Sequence, residues 1–126
     1  MRPRAVWLAG LVSVAILLLG VRAFLDPVAA SAGFGVPMHT DAETTFVRVY
    51  GARNAMLGAM AVILAARGMI RPLGLLFTLA TLLPFLDAAV IVSRIGLGHE
   101  LARHGAILLV LVTVSVALWR TSESAP

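Results

Sequence analysis

The chain alternates long apolar stretches with short polar breaks. A bilayer core about 30 Å thick takes roughly 20 apolar residues at 1.5 Å each, and four stretches reach that length. They run from about Ala5 to Phe24, Thr45 to Ala66, Leu73 to Arg94 and Leu101 to Trp119. Only Arg67-Gly68-Met69-Ile70-Arg71-Pro72 separates the second from the third. So short a link forces an antiparallel hairpin, with glycine to stop one helix and proline to open the next. The pattern predicts an all-α fold, an integral membrane bundle of four transmembrane helices (5–24, 45–66, 73–94 and 101–119) with up-down topology. One domain is expected over residues 1–126. Pro84 should kink the third helix, because it leaves a carbonyl near Ala80 without its usual donor. Gly51, Ala55, Gly58, Ala59 and Val62 share a face of the second helix, a small-residue strip that lets membrane helices approach closely.

The first stretch has a rival reading as a secretory signal, with Arg2 and Arg4 before the apolar run and Ala30-Ser31-Ala32 as a cleavage site. The run is longer than an ordinary signal core, and Arg22 and Asp26 intervene, so a retained helix is expected. Composition agrees with the membrane reading. Of 126 residues, 60% are hydrophobic and 13% charged, with a mean hydropathy of +0.99. A soluble domain carries about 25% charged residues, so a water-soluble monomer is excluded. All ten basic residues are arginines and they are scattered. The net charge of +4 therefore reads as membrane orientation, and no nucleic-acid partner is expected. The absence of cysteine excludes disulfides, a thiolate nucleophile and iron–sulfur clusters.

Arginine placement sets the expected topology. Arg2, Arg4, Arg67, Arg71 and Arg120 fall on one side of an even-numbered bundle. Arg22, Arg48, Arg94 and Arg103 fall on the other, with Asp26, Asp41, Glu43 and Glu100. Acids count for little in this rule, so both termini are expected in the cytoplasm of a multi-pass cell-membrane protein. Trp7 and Trp119 then sit near the inner interface.

Ionisable residues inside the apolar spans carry the candidate chemistry. A charge at mid-bilayer costs about 2.5–3.5 kcal/mol even on the gentlest scale, so it should face protein or water and have a partner. Arg53 and Asn54 lie inside the second span, Asp87 inside the third and His104 inside the fourth, all toward the outer end. Arg22 and Asp26, four apart, close the first span as an interfacial pair. The inner half offers almost no polar group on this reading. At about 100° per residue, Asp87 and Arg94 are nearly eclipsed, Tyr50, Arg53, Asn54 and Leu57 share a face, and Glu100 can hydrogen-bond His104. The simplest assembly is an Arg53–Asp87 ion pair with Tyr50, Asn54, Arg94 and His104 around a cavity open to the outer surface or leaflet. Asp87, Arg53, His104 and Asn54 are the candidate catalytic residues; Tyr50, Arg94 and Glu100 are candidate substrate contacts.

Other motifs fail on spacing. His99 and His104 are five apart, which turns them about 140° from one another on a helix and spoils a zinc-protease pair. His39, Asp41 and Glu43 read as a solvated loop. A bis-histidine haem needs a second histidine inside the bundle, and Gly33-Phe34-Gly35 lacks the remainder of a nucleotide loop. No metal and no cofactor are expected.

Several elements recur together in one known group. They are Gly33-Phe34-Gly35-Val36-Pro37 after the first helix, Tyr50-Gly51-Ala52-Arg53-Asn54-Ala55-Met56-Leu57-Gly58 opening the second, Leu83-Pro84-Phe85-Leu86-Asp87 in the third, and residues 99–105 before the fourth. Through them the chain resembles a family of small bacterial and fungal membrane proteins whose domain has no known function and whose layout is DoxX-like. The resemblance covers nearly the whole chain. It implies a four-helix membrane fold and supplies no activity.

Two main functions stay open. In the first, an acid/base enzyme of isomerase, cyclase or epoxide-opening type acts on a hydrophobic small molecule. Asp87 serves as acid or base, Arg53 and Asn54 stabilise an oxyanion and His104 shuttles the proton. The alternative is a non-catalytic accessory or scaffold protein whose Arg–Asp cluster only fixes helix packing. A transporter ranks last, since four helices are few and no inverted repeat is visible. Expected partners are membrane lipids and a hydrophobic substrate; a homo-oligomer is compatible with so small a bundle.

Overall fold

The computed structural model describes residues 3–123, apart from the side chains of Ile95 and Glu100. Arg2 and the Glu100 side chain, both part of the expectations above, lie outside the described residues. The fold is all-helical, 87% helix, with no strand among the described residues. Its elements are α1 (Arg4–Leu25), α2 (Pro27–Phe34), α3 (Asp41–Ala66), α4 (Ile70–Ala80), α5 (Leu82–Ile95) and α6 (His99–Glu123). Four helical stretches are long and apolar enough to cross a membrane, with α4 and α5 together forming the third, Ile70–Arg94. The described residues fall into two compact units, residues 10–63 and residues 3–9 with 64–123.

In the unit of residues 10–63, α1 and α3 run antiparallel with their backbones in direct contact. A Cβ on Gly51 would lie 2.6 Å from the Phe24 nitrogen, one on Gly58 would lie 2.5 Å from the Leu17 nitrogen, and one on Gly20 would collide with the Ala55 nitrogen. The small-residue strip at Gly51, Ala55 and Gly58 is thus the α1–α3 interface. Without a hydrophobic drive in lipid, such close backbone approach supplies the van der Waals contact that holds the helices together.

The chain leaves α1 by a route the hydrophobic pattern does not reveal. Asp26 takes a non-helical conformation (φ −130°, ψ 76°), and its carboxylate accepts the Ala29 N–H at 3.2 Å, with Pro27 in the first turn of α2. Asp26 is therefore an N-cap. It does not continue the α1 face, so the helix-face spacing that suggested an Arg22–Asp26 pair does not apply. At the same corner Arg48 Nη1 donates to the Phe24 carbonyl at 2.7 Å, placing a cation at the negative end of α1. Gly35 closes α2 at φ 103°, a left-handed conformation that glycine adopts without steric cost. Thr40 and Glu43 form a reciprocal capping box, Glu43 N–H to Thr40 Oγ1 at 3.3 Å and Thr40 N–H to Glu43 Oε2 at 3.0 Å. That box is why α3 starts at Asp41 rather than Thr45.

In the other unit, α4 and α5 pack against an antiparallel α6. Leu73, Phe77, Ile91, Leu111, Val114 and Leu118 are buried there. The helical ladder breaks at Thr81, which keeps helical dihedrals (φ −64°, ψ −23°). Pro84 has no N–H to offer the Ala80 carbonyl, so the interruption falls where the missing donor puts it.

This unit also places polar groups within the spans near the end that carries the α3–α4 turn, where the charged residues alone predicted almost none. Thr78 Oγ1 donates to the Gly74 carbonyl at 2.8 Å, lies 2.7 Å from Ser115 Oγ, and accepts the Trp119 indole N–H at 2.9 Å. A search for charged residues passes over hydroxyls, which lie within apolar runs without breaking the hydropathy.

Candidate functional site

The candidate residues divide between the two units. On α3, Tyr50 is exposed and meets the Phe34 ring edge-on, with centroids 6.4 Å apart and planes at 64°. Arg53 is exposed beside Ala52, Met56, Leu57 and Met60, which with it line a shallow depression of about 520 Å³. Asn54 is half-buried. It precedes Gly58 by four residues, which turns it toward the packed face of α3, whereas Arg53 points about 100° away.

In the other unit, Asp87 on α5 is half-buried and His104 on α6 is 4% exposed. The two lie within electrostatic reach of one another. Antiparallel packing of α5 and α6 brings the two positions near one level, because the residue number rises along α5 as it falls along α6. Arg94 is exposed in the last turn of α5. Glu100 belongs to the first turn of α6, and its expected hydrogen bond to His104 falls outside the described side chains.

A groove of about 580 Å³ follows the α5–α6 seam. Its α5 wall includes Pro84, Ala88, Ala89 and Ser93, and its α6 wall includes His104, Gly105 and Leu108. Small residues create the space, and a Cβ on Gly105 would meet nothing within 4 Å. Among the described residues His104 is the only ionisable group lining the groove. Ser93 adds a hydroxyl that donates to its own helix at Val90 O, 2.7 Å away. Asp87 stands just off the lining stripe, one residue before Ala88.

Sequence reasoning missed Ala88, Ala89 and Gly105 as groove formers. Their signal was available, since small residues at helical spacing stand on both sides of the His104 position. Without the α5–α6 register, however, nothing says that the two sets face each other. Among the described residues no group of histidines, aspartates and glutamates could hold a metal ion. Chemically, the site offers a carboxyl and an imidazole next to an apolar channel, enough for proton movement on an apolar ligand.

No curated protein and no solved structure matches the chain significantly. The family described as a domain of unknown function, DUF4267, matches residues 13–119, a stretch that contains both the Gly51-Ala52-Arg53-Asn54 and the Pro84-to-Asp87 elements. The chain belongs to the DUF4267 family.

Proposed function

We propose that the α5–α6 groove binds a hydrophobic small molecule and that Asp87 and His104 move a proton on it. The observation that carries this reading is a buried imidazole lining a predominantly apolar groove with a carboxyl in electrostatic reach. A carboxylate partner orients an imidazole for proton transfer. Isomerisation, cyclisation or epoxide opening needs no more than this pair and a donor for the developing oxyanion.

The test uses purified Asp87→Asn and His104→Gln variants in bilayer discs, each with wild-type helicity. With a substrate found by screening apolar polyketide-like and terpenoid-like compounds, both variants should lose about 10²-fold or more in kcat. Unchanged turnover in both removes the assignment.

One observation favours the competing reading of a non-catalytic accessory protein. At Thr78, Ser115 and Trp119, polar groups within the spans serve helix packing. On that reading, replacing Arg53 and Asp87 together with leucine leaves assembly and function intact.

A further inference from the structure

Independently of the groove, cations concentrate at the end of the second unit that carries the α3–α4 turn. Arg67 in the turn, Arg71 in the first turn of α4 and Arg120 in the last turn of α6 are all exposed. The antiparallel register brings the last two to one level, because Trp119 packs on Gly74, one turn along α4 from Arg71. Arg4 opens α1, whose first residues belong to the same unit. Glu123 is the single described acid at this end of α6. Immediately beyond the arginines the surface turns apolar, with Leu75 and Leu79 on α4 and Val112 and Val116 on α6 all exposed. Trp119, 38% exposed and tied through its indole N–H to Thr78, marks the seam between the two zones.

We infer that this end binds anionic phospholipid, with the headgroup phosphate on the guanidiniums of Arg67, Arg71 and Arg120 and the acyl chains along Leu75, Leu79, Val112 and Val116. Guanidinium forks match phosphate oxygens in bidentate geometry, and basic residues flanking a membrane span are drawn to anionic leaflets. The direct passage from cation to apolar surface commits the site to a lipid. A soluble phosphate would use only the cationic half and leave the apolar half without a role.

The chain contains two tryptophans, Trp7 and Trp119, so a Trp7→Phe variant makes Trp119 the sole reporter. The full chain is reconstituted in phosphatidylcholine vesicles doped with brominated phosphatidylglycerol or, separately, with brominated phosphatidylcholine at equal mole fraction. Brominated phosphatidylglycerol should quench Trp119 at a clearly lower mole fraction. Each Arg→Gln change at 67, 71 or 120 should reduce that preference by up to about fivefold at low salt, whereas Arg→Lys changes should retain most of it. High salt should weaken the preference, and inorganic phosphate added at constant ionic strength should not. Equal quenching by the two lipids in the protein with all arginines present overturns the inference without recourse to any arginine variant. Loss of the preference on adding inorganic phosphate overturns it in favour of a soluble anion.

Discussion

Gly51 and Gly105 both sit inside membrane-length helices, and the same substitution should have opposite consequences at the two positions. At Gly51 a methyl group would lie 2.6 Å from the Phe24 nitrogen, and nothing there can yield except the α1 backbone. Gly51→Ala should destabilise the protein by about 1–3 kcal/mol through overpacking. Gly105→Ala meets open space and should be neutral or stabilising by up to about 1 kcal/mol through helix propensity. Thermal unfolding of the two variants in one detergent checks the contrast, and equal shifts would contradict it. Thr78 carries a second prediction at this scale. Its hydroxyl serves Gly74, Ser115 and Trp119 together, so Thr78→Val leaves the Ser115 hydroxyl and the indole N–H without their shared partner. The expected cost is about 1 kcal/mol, with a shift in Trp119 emission, and Thr78→Ser should restore both. Arg53, Asp87 and His104 were legible as candidates because a charged or titratable group in an apolar run has few innocent explanations. Thr78, Ser115 and Trp119 were not, because each is ordinary in a span until a partner on another helix is known.

At the scale of elements, capping chemistry decided what hydropathy could not. The pattern of apolar residues located all four spans, yet it left residues 25–44 as a loop and began α3 four residues late. Asp26 followed by Pro27 starts α2, Gly35 ends it, and the Thr40–Glu43 box starts α3. All three signals are short-range and were present in the sequence. A reading tuned to twenty-residue windows averages them away. Asp26→Ala should therefore loosen α2 by about 1 kcal/mol and leave α3 untouched. Amide exchange checks this, with faster exchange expected at Ala29 and its neighbours and no change along α3. Pro84 was the reverse case, a long-range consequence legible from one residue. A proline inside a helical run removes a donor wherever the run happens to pack.

For the molecule as a whole, an even number of membrane-length helices predicts that both ends lie on one side, and the arginine distribution predicts which. Both termini and the Arg67–Arg71 turn are expected in the cytoplasm, and the loops at His39 and Leu97 outside. The chain has no cysteine, so single Met69→Cys and His39→Cys variants can be labelled without background in intact cells. An impermeant maleimide should modify the His39 position and spare Met69 until the membrane is opened, and the opposite result would invert the topology. By itself, the sequence determined that this is an all-helical chain with four membrane-length segments, because chain length against bilayer thickness and the cost of burying charge in lipid act on each segment alone. Membership of DUF4267 was legible for a similar reason, since it rests on residue order. The tertiary structure alone decided that Gly51 and Gly58 meet α1, that Thr78 joins α4 to α6, and that Ala88, Ala89 and Gly105 open a groove beside His104. Those outcomes depend on the register between helices distant in sequence, where small shifts exchange one side-chain neighbour for another and the hydropathy of either helix stays the same.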